Sequence, residues 1–215
     1  DGILAYYNFY FGKKETLLVP NCNEYSISNK ENNLRKTYSI KEDELIFVFV
    51  GFFAHGRGIE NILKVFRDSS IKHHIVFIGF GDFENLIKEH TSFSNIHFHG
   101  SLSPEDLIST VKTADCGISL IEPISYSDYL CVPNKFYDYV NSEIPVIVSD
   151  IPELSKLTLK YNIGFVVDNN FESLFNIVSK LDRNILNTKK NNTEVKKILS
   201  WNYSSKKLIE QYKKL

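Results

Sequence analysis

The chain has 215 residues, 43% of them hydrophobic and 13% aromatic, which is enough for one substantial core and too short for two full-sized domains. Lys and Arg number 25 against 26 Asp and Glu, so no polybasic field exists to hold nucleic acid or an anionic membrane over a broad face, and an anionic ligand has to be held locally. No apolar run reaches the ~20 residues of a spanning helix and no signal-peptide pattern opens the chain, so a soluble cytoplasmic protein is expected.

The opening stretch ILAYYNFYFGK is aromatic, LLVP is a short apolar run, and NEYSISNKENNLRK reads as a linker. LIFVFVG, residues 45–51, is a continuous β-branched and aromatic run, the mark of a strand buried on both faces. Ile59, Ile62, Leu63 and Phe66 then follow helical spacing. IVFIG (75–79) precedes a helix expected to begin at Asp82, with His73 and His74 read as loop residues. NIHFHG (95–100) precedes a helix with Ser103 as N-cap, Pro104 at the first position and Asp106 at the third. CGISLI (116–121), a helix from about Asn134, the strand PVIVSD, a helix after Pro152 and the strand GFVV (164–167) complete the alternation, and further helices fill 171–215. Six strands each followed by a helix specify an α/β doubly wound, Rossmann-like parallel sheet, which takes ligands at the carboxyl ends of its strands.

The domain proper is expected over residues 41–200, with 201–215 a C-terminal helix and 1–40 a remnant of a neighbouring domain and its linker. With no methionine, the chain is expected to be a piece of a longer protein. Cys22, Cys116 and Cys131 are odd in number and lack CxxC spacing, against both a disulfide framework and a zinc site; Cys116 reads as core. His97 and His99 share one side of a strand, but no neighbouring carboxylate or cysteine completes a metal set, so packing is their expected role.

GFFAHGRG, residues 51–58, copies a P-loop spacing but carries Arg57 where the lysine belongs and Gly58 in place of Ser or Thr. What survives is a glycine-bearing turn at a helix start with Arg57 beside it, either a close-packed turn or a place for phosphate oxygens. GFGD, with Gly79 and Gly81, is an incomplete dinucleotide fingerprint, because residue 84 is Glu. In PNKFYDYV, Lys135 adds a full charge at a helix N-terminus and Asp138, one turn on, can accept from ligand hydroxyls; the alternative is an i, i+3 ion pair on a solvated face.

VG at 50–51, RGIENIL, IVFIGFGD, NIHFHGSLSPEDL, ADCGISLI, PNKFYDYVNSEIPVIVSDIPEL and IGFVV stand in an order that resembles the C-terminal, nucleotide-sugar-binding domain of GT-B glycosyltransferases, family 4, in the branch with a PNK or PSK motif. The likeness runs from about 45 to 215, and VPNCNE (19–24) is similar to the end of the family's N-terminal domain. It implies a glycosyltransferase whose co-substrate is a nucleoside diphosphate sugar, with no separate cofactor and no metal. It also implies an acceptor glycan or lipid-linked saccharide, as in polysaccharide biosynthesis, an N-terminal GT-B partner domain, and peripheral membrane association of the full-length enzyme. By resemblance Gly51 belongs to the nucleotide-sugar site, Arg57 lies at the diphosphate, Asn134 and Lys135 belong to the PNK signature, with Lys135 facing the phosphates, and Asp138 matches a glutamate that holds the ribose hydroxyls. Gly79, Gly81 and the turn from His99 through Ser101 to Leu102 correspond to loops around the base. Two positions depart: Leu130 stands where the family often has its first glutamate, and Phe52 where an arginine commonly follows the first glycine. A GT-B-like sugar epimerase and a non-catalytic nucleotide-sugar-binding module are the alternatives.

Overall fold

The computed structural model describes residues 2–22, 32–189 and 193–214. In chain order α1 (Gly2–Phe11) and α2 (Leu34–Thr37) precede β1 (Ile46–Phe52), followed by α3 (Ile59–Phe66), β2 (His74–Phe80), α4 (Glu84–His90), β3 (Ile96–Gly100), α5 (Pro104–Val111) and β4 (Cys116–Ser119). Then come α6 (Tyr126–Leu130), α7 (Asn134–Asn141), β5 (Val146–Ser149), α8 (Pro152–Lys160), β6 (Gly164–Val167), α9 (Phe171–Val178), α10 (Arg183–Asn187), α11 (Thr193–Ile198) and α12 (Trp201–Tyr212). Most of the expected linker and the end of VPNCNE lie outside the described residues.

All strand pairs are parallel and the sheet order is β3-β2-β1-β4-β5-β6. The unbroken apolar run of β1 makes this possible, because a strand's side chains alternate between faces and each face needs its own oil. Ile46, Val48 and Val50 enter one core with Val111 of α5, Phe136 and Val140 of α7, and Leu154 of α8. Phe47 and Phe49 enter the other with Ile59, Ile62 and Phe66 of α3, Ile87 of α4 and Leu174 of α9. The doubly wound α/β reading therefore holds, and Cys116 is fully buried as expected.

Local chemistry agrees with the sequence at α5, where the Ser103 hydroxyl accepts from the Asp106 N–H at 3.2 Å and Pro104 opens the helix. It differs at α4, which starts at Glu84 after Phe83; exposed Asp82 sits in the preceding turn and does not open the helix. His74 is the first residue of β2 rather than a loop residue. Its Nδ1 lies 2.9 Å from His97 Nε2 and its Nε2 3.2 Å from Glu44 Oε2, while Tyr38 stacks on the His97 ring at 4.2 Å and places its hydroxyl 2.9 Å from His99 Nδ1. The two strand histidines thus serve packing, and burial, with His74 adding a smaller push, lowers His97 to about 4. α1, α2 and α6 were not anticipated: the aromatic run of α1 has no helical period and buries none of its residues, while α2 starts within the stretch read as a linker and buries Leu34 in the core.

β1 and β4 pair only through Phe47↔Cys116 and Val48↔Gly117, and beyond that point Tyr139 of α7 occupies the widening gap. Its hydroxyl lies 3.0 Å from Ile118 O and 3.2 Å from Val48 O as donor, and accepts from the Val50 N–H at 3.0 Å. One phenol therefore satisfies backbone groups that the parting strands leave open. Gly117 makes room for it, since a Cβ there would stand 2.4 Å from the Tyr139 ring. Tyr139→Phe keeps the ring but strands these buried groups, so urea unfolding should show a loss of about 1–3 kcal/mol with little change in m.

Candidate functional site

In this strand order the connections leave β1 and β4 in opposite directions, so a crevice opens at their carboxyl ends. The end of β1 is shaped by glycine. Gly79 has φ 149° and a Cβ on it would lie 1.9 Å from the Gly51 carbonyl oxygen, so the β1 and β2 backbones approach as only glycine permits. A Cβ on Gly81 would fall 2.6 Å from the Phe53 backbone nitrogen, which brings the turn after β2 against the turn after β1.

Lys135 enters this region from the first turn of α7. Only 8% of its surface is exposed, and its Nζ is buried without a hydrogen-bond partner. The side chain passes Gly51, where a Cβ would sit 3.7 Å from Lys135 Cε, and lays Nζ 3.4 Å from the centre of the Phe49 ring, a member of the opposite face's core. Ring contact favours a cation but does not replace the hydrogen bonds an ammonium has in water. Burial first, and the neighbouring Arg57 charge second, lower Lys135 to about 7, with Asp138 opposing.

Arg57, in the turn between β1 and α3, is half-buried and places its guanidinium 3.3 Å from Asp128 of α6. The Ser125 hydroxyl donates to the other Asp128 oxygen at 2.7 Å and Arg57 adds to the effect, holding that carboxyl below its usual range. The Gly56 carbonyl accepts from the Glu122 N–H at 2.9 Å, so the turn after β1 and the segment after β4 brace each other. Asp138 is 5% exposed, which removes the reading of a solvated ion pair with Lys135.

The structure thus brings Gly51, Gly79, Gly81 and Lys135 together, with the charge of Arg57 felt at Lys135. Asn134 is on the exposed edge of α7, where Asn21 Nδ2 donates to its Oδ1 at 3.4 Å. Exposed Ser101 and half-buried Leu102 follow β3, two strands from β1. Leu130 turns towards α1, its Cδ2 lying 2.7 Å from where a Cβ on Gly2 would be. Reading the sequence missed Asp128 and Tyr139. The box Ser125-Tyr-Ser-Asp128, whose serine hydroxyl accepts from the Asp128 N–H, was the available signal for α6 and its carboxylate.

A doubly wound sheet with a buried amine and a guanidinium at its switch point defines an α/β domain suited to an anionic ligand. The sequence model described as "Glycosyl transferases group 1" matches residues 30–197, and the chain belongs to that family. Its fold is the Rossmann-like domain of GT-B glycosyltransferases. Sucrose-phosphate synthase from Thermosynechococcus elongatus superposes with a TM-score of 0.72 at 18% identity, over 99% of this chain and 56% of that one. HepE of Anabaena, solved with UDP and glucose, gives 0.64 at 12% identity over 85% and 51%. A glycosyltransferase from Rickettsia africae gives 0.59 at 18% identity over 84% and 50%. The chain spans about half the length of these proteins. No curated protein matches it by sequence. Among the described residues no helix is long and apolar enough to cross a membrane, and no group of three His, Cys, Asp or Glu could hold a metal ion.

The buried amine gives ligand-free stability a definite pH dependence. An unfolded lysine titrates near ~10.4, so above the folded value of about 7 the unfolded chain holds one more proton than the native chain at this site. Stability therefore rises with pH from 7 to about 9, where the raised thiols of Cys22, Cys116 and Cys131 begin to oppose it. Thermal melts across that window should show the rise, and Lys135→Met should flatten it while raising Tm below pH 7.

Proposed function

We propose that this chain is the donor-binding half of a glycosyltransferase that moves a sugar from a nucleoside diphosphate sugar to an acceptor such as a glycan or lipid-linked saccharide. The observation that carries this reading is Lys135 Nζ, buried without a hydrogen-bond partner at the switch point of a glycosyltransferase-family sheet. A diphosphate oxygen supplies the missing acceptor and restores the amine's charge. HepE, a structural neighbour, has been solved with UDP and with UDP-glucose, which supports a nucleotide ligand for the same fold.

The chemical problem in such a transfer is departure of an anionic diphosphate. Lys135 and Arg57 stabilise the charge that grows on the leaving oxygens, acting from a site where water is excluded and the fields are strong. Arg57 is released to the diphosphate by partial exchange with Asp128, and the cations serve in place of a divalent ion. Asp138 accepts from the ribose hydroxyls. The acceptor and its activating base come from outside this chain. A non-catalytic module binding the same ligand is the second reading, favoured by Leu130, which presents an alkyl chain to α1 instead of a carboxylate to the donor sugar.

Calorimetry with UDP and GDP tests the reading. Binding should persist in EDTA, and Lys135→Met and Arg57→Ala should each weaken it by roughly 10- to 150-fold, the loss of one charge-assisted contact. Because the ligand needs charged Lys135, wild-type affinity should fall as pH rises from 7 to 9, by at most about tenfold per unit, with proton uptake that vanishes in Lys135→Met. A chain that binds neither nucleotide refutes the proposal.

Asp138 has its own test. Asp138→Asn should weaken a ribonucleoside diphosphate and barely affect its 2′,3′-dideoxy analogue, which has no hydroxyl partners to lose. Equal losses for both ligands would remove the ribose role.

A further inference from the structure

α6 is a single turn, and none of its five residues is buried. A turn that short does not hold its own shape in water, so its position is set by what flanks it. Within it the Ser125 hydroxyl accepts from the Asp128 N–H at 3.1 Å, and the Asp128 carbonyl accepts from Cys131 Sγ at 3.2 Å. From outside, α1 takes α6 at both ends. The Tyr6 ring lies against the ring of Tyr126, the first residue of α6, with centroids 5.7 Å apart. The Gly2 backbone presses on Leu130, the last residue, so closely that a Cβ there would stand 2.7 Å from Leu130 Cδ2. The Gly2 N–H also donates to Glu153 Oε1 of α8 at 2.9 Å, which ties α1 to the domain. Between the two grips stands Asp128, its carboxylate 3.3 Å from the Arg57 guanidinium.

We infer that α1 is an autoinhibitory latch: seated on Tyr126 and Leu130, it holds Asp128 on Arg57 and so withholds the guanidinium from an anionic ligand. This rests on the anion role of Arg57 proposed above and adds the element that controls it. The loop entering α6 is pinned separately, since the Glu122 N–H donates to the Gly56 carbonyl at 2.9 Å and a Cβ on Gly56 would stand 2.9 Å from Ile124 Cδ1. Loss of the α1 contacts therefore frees α6 and its carboxylate without unseating the turn that carries Arg57. The latch is weak enough to open. α1 buries none of its residues, and the ion pair it protects is partly exposed to water, so an anion competes for Arg57 against a modest opponent. Lys135 is outside this control, because its Nζ has no hydrogen-bond partner to exchange. The latch therefore acts on one of the two cations.

Two measurements on the whole chain test the latch, one of them without any ligand. Tyr6→Ala and Gly2→Val each break one grip at a residue outside the core. The Ser125 hydroxyl and Arg57 hold the Asp128 carboxyl below its usual range. NMR titration of that carboxyl should show its midpoint rise in the double variant as far as Arg57→Ala alone raises it, and in an Arg57→Ala background the two substitutions should add nothing. Calorimetry with inorganic pyrophosphate should show binding tightened about 2- to 5-fold by the double variant, the worth of a partly exposed ion pair. Asp128→Asn should tighten it equally, and the combination no further. An Asp128 midpoint unmoved by the double variant would overturn the latch while the Lys135→Met loss still upheld the diphosphate site. Weakened or unchanged pyrophosphate binding in the double variant would also overturn it, showing α1 as a support instead of a restraint. If no form of the chain binds pyrophosphate, the donor reading falls and this inference with it.

Discussion

Where β1 and β4 part, the sheet faces a problem every doubly wound fold shares. A parallel sheet satisfies its backbone only while its strands remain side by side, yet a crevice requires two of them to diverge. Here the Tyr139 hydroxyl meets the exposed groups of both strands, and a glycine on β4 leaves room for its ring. A side chain therefore occupies the place where the two strands part. Through the same contacts α7 is drawn close to the sheet, and the lysine one turn before Tyr139 is buried at the gap.

That lysine makes the site a compromise between stability and use. An amine placed against Phe49 and beside Arg57 is costly to charge, and the native fold tolerates it by letting the proton go near neutral pH. A fold selected for stability alone would place an apolar side chain there. Arg57 is managed differently, with Asp128 keeping its charge compensated while the crevice is empty. The two cations thus stand in different states, one partly discharged and one paired.

The fold was largely legible because its information is local. Apolar runs gave most of the strands and the alternating NIHFHG gave β3, while the Ser103-Pro104-Asp106 signature gave the start of α5. Lys135 and the glycines were legible too, as charge and flexibility at strand ends. What escaped depended on residues far apart in sequence. Tyr139 reads as one aromatic among several in a helix, and its hydrogen bonds reach residues about 90 positions away at β1. His74 looked like part of a loop because its partners, Glu44 and His97, lie on other segments. The depth of Asp138 was not legible, because its polar neighbours in sequence hide a helix buried on nearly every side.

The segment from Asn33 to Glu44 is fastened at the amino ends of β1 and β4 and along β3 as far as His99. Arg35 donates to Asp115 at 3.0 Å and to the carbonyls of Lys41 and Glu44, while Tyr38 stacks on His97 and reaches His99. Both its helical turn and its loop are thus clasped against the sheet. The foot of the sheet is thereby pinned by side chains from outside it, whereas the glycine turns at its head are built from the close approach of the strands' own backbone.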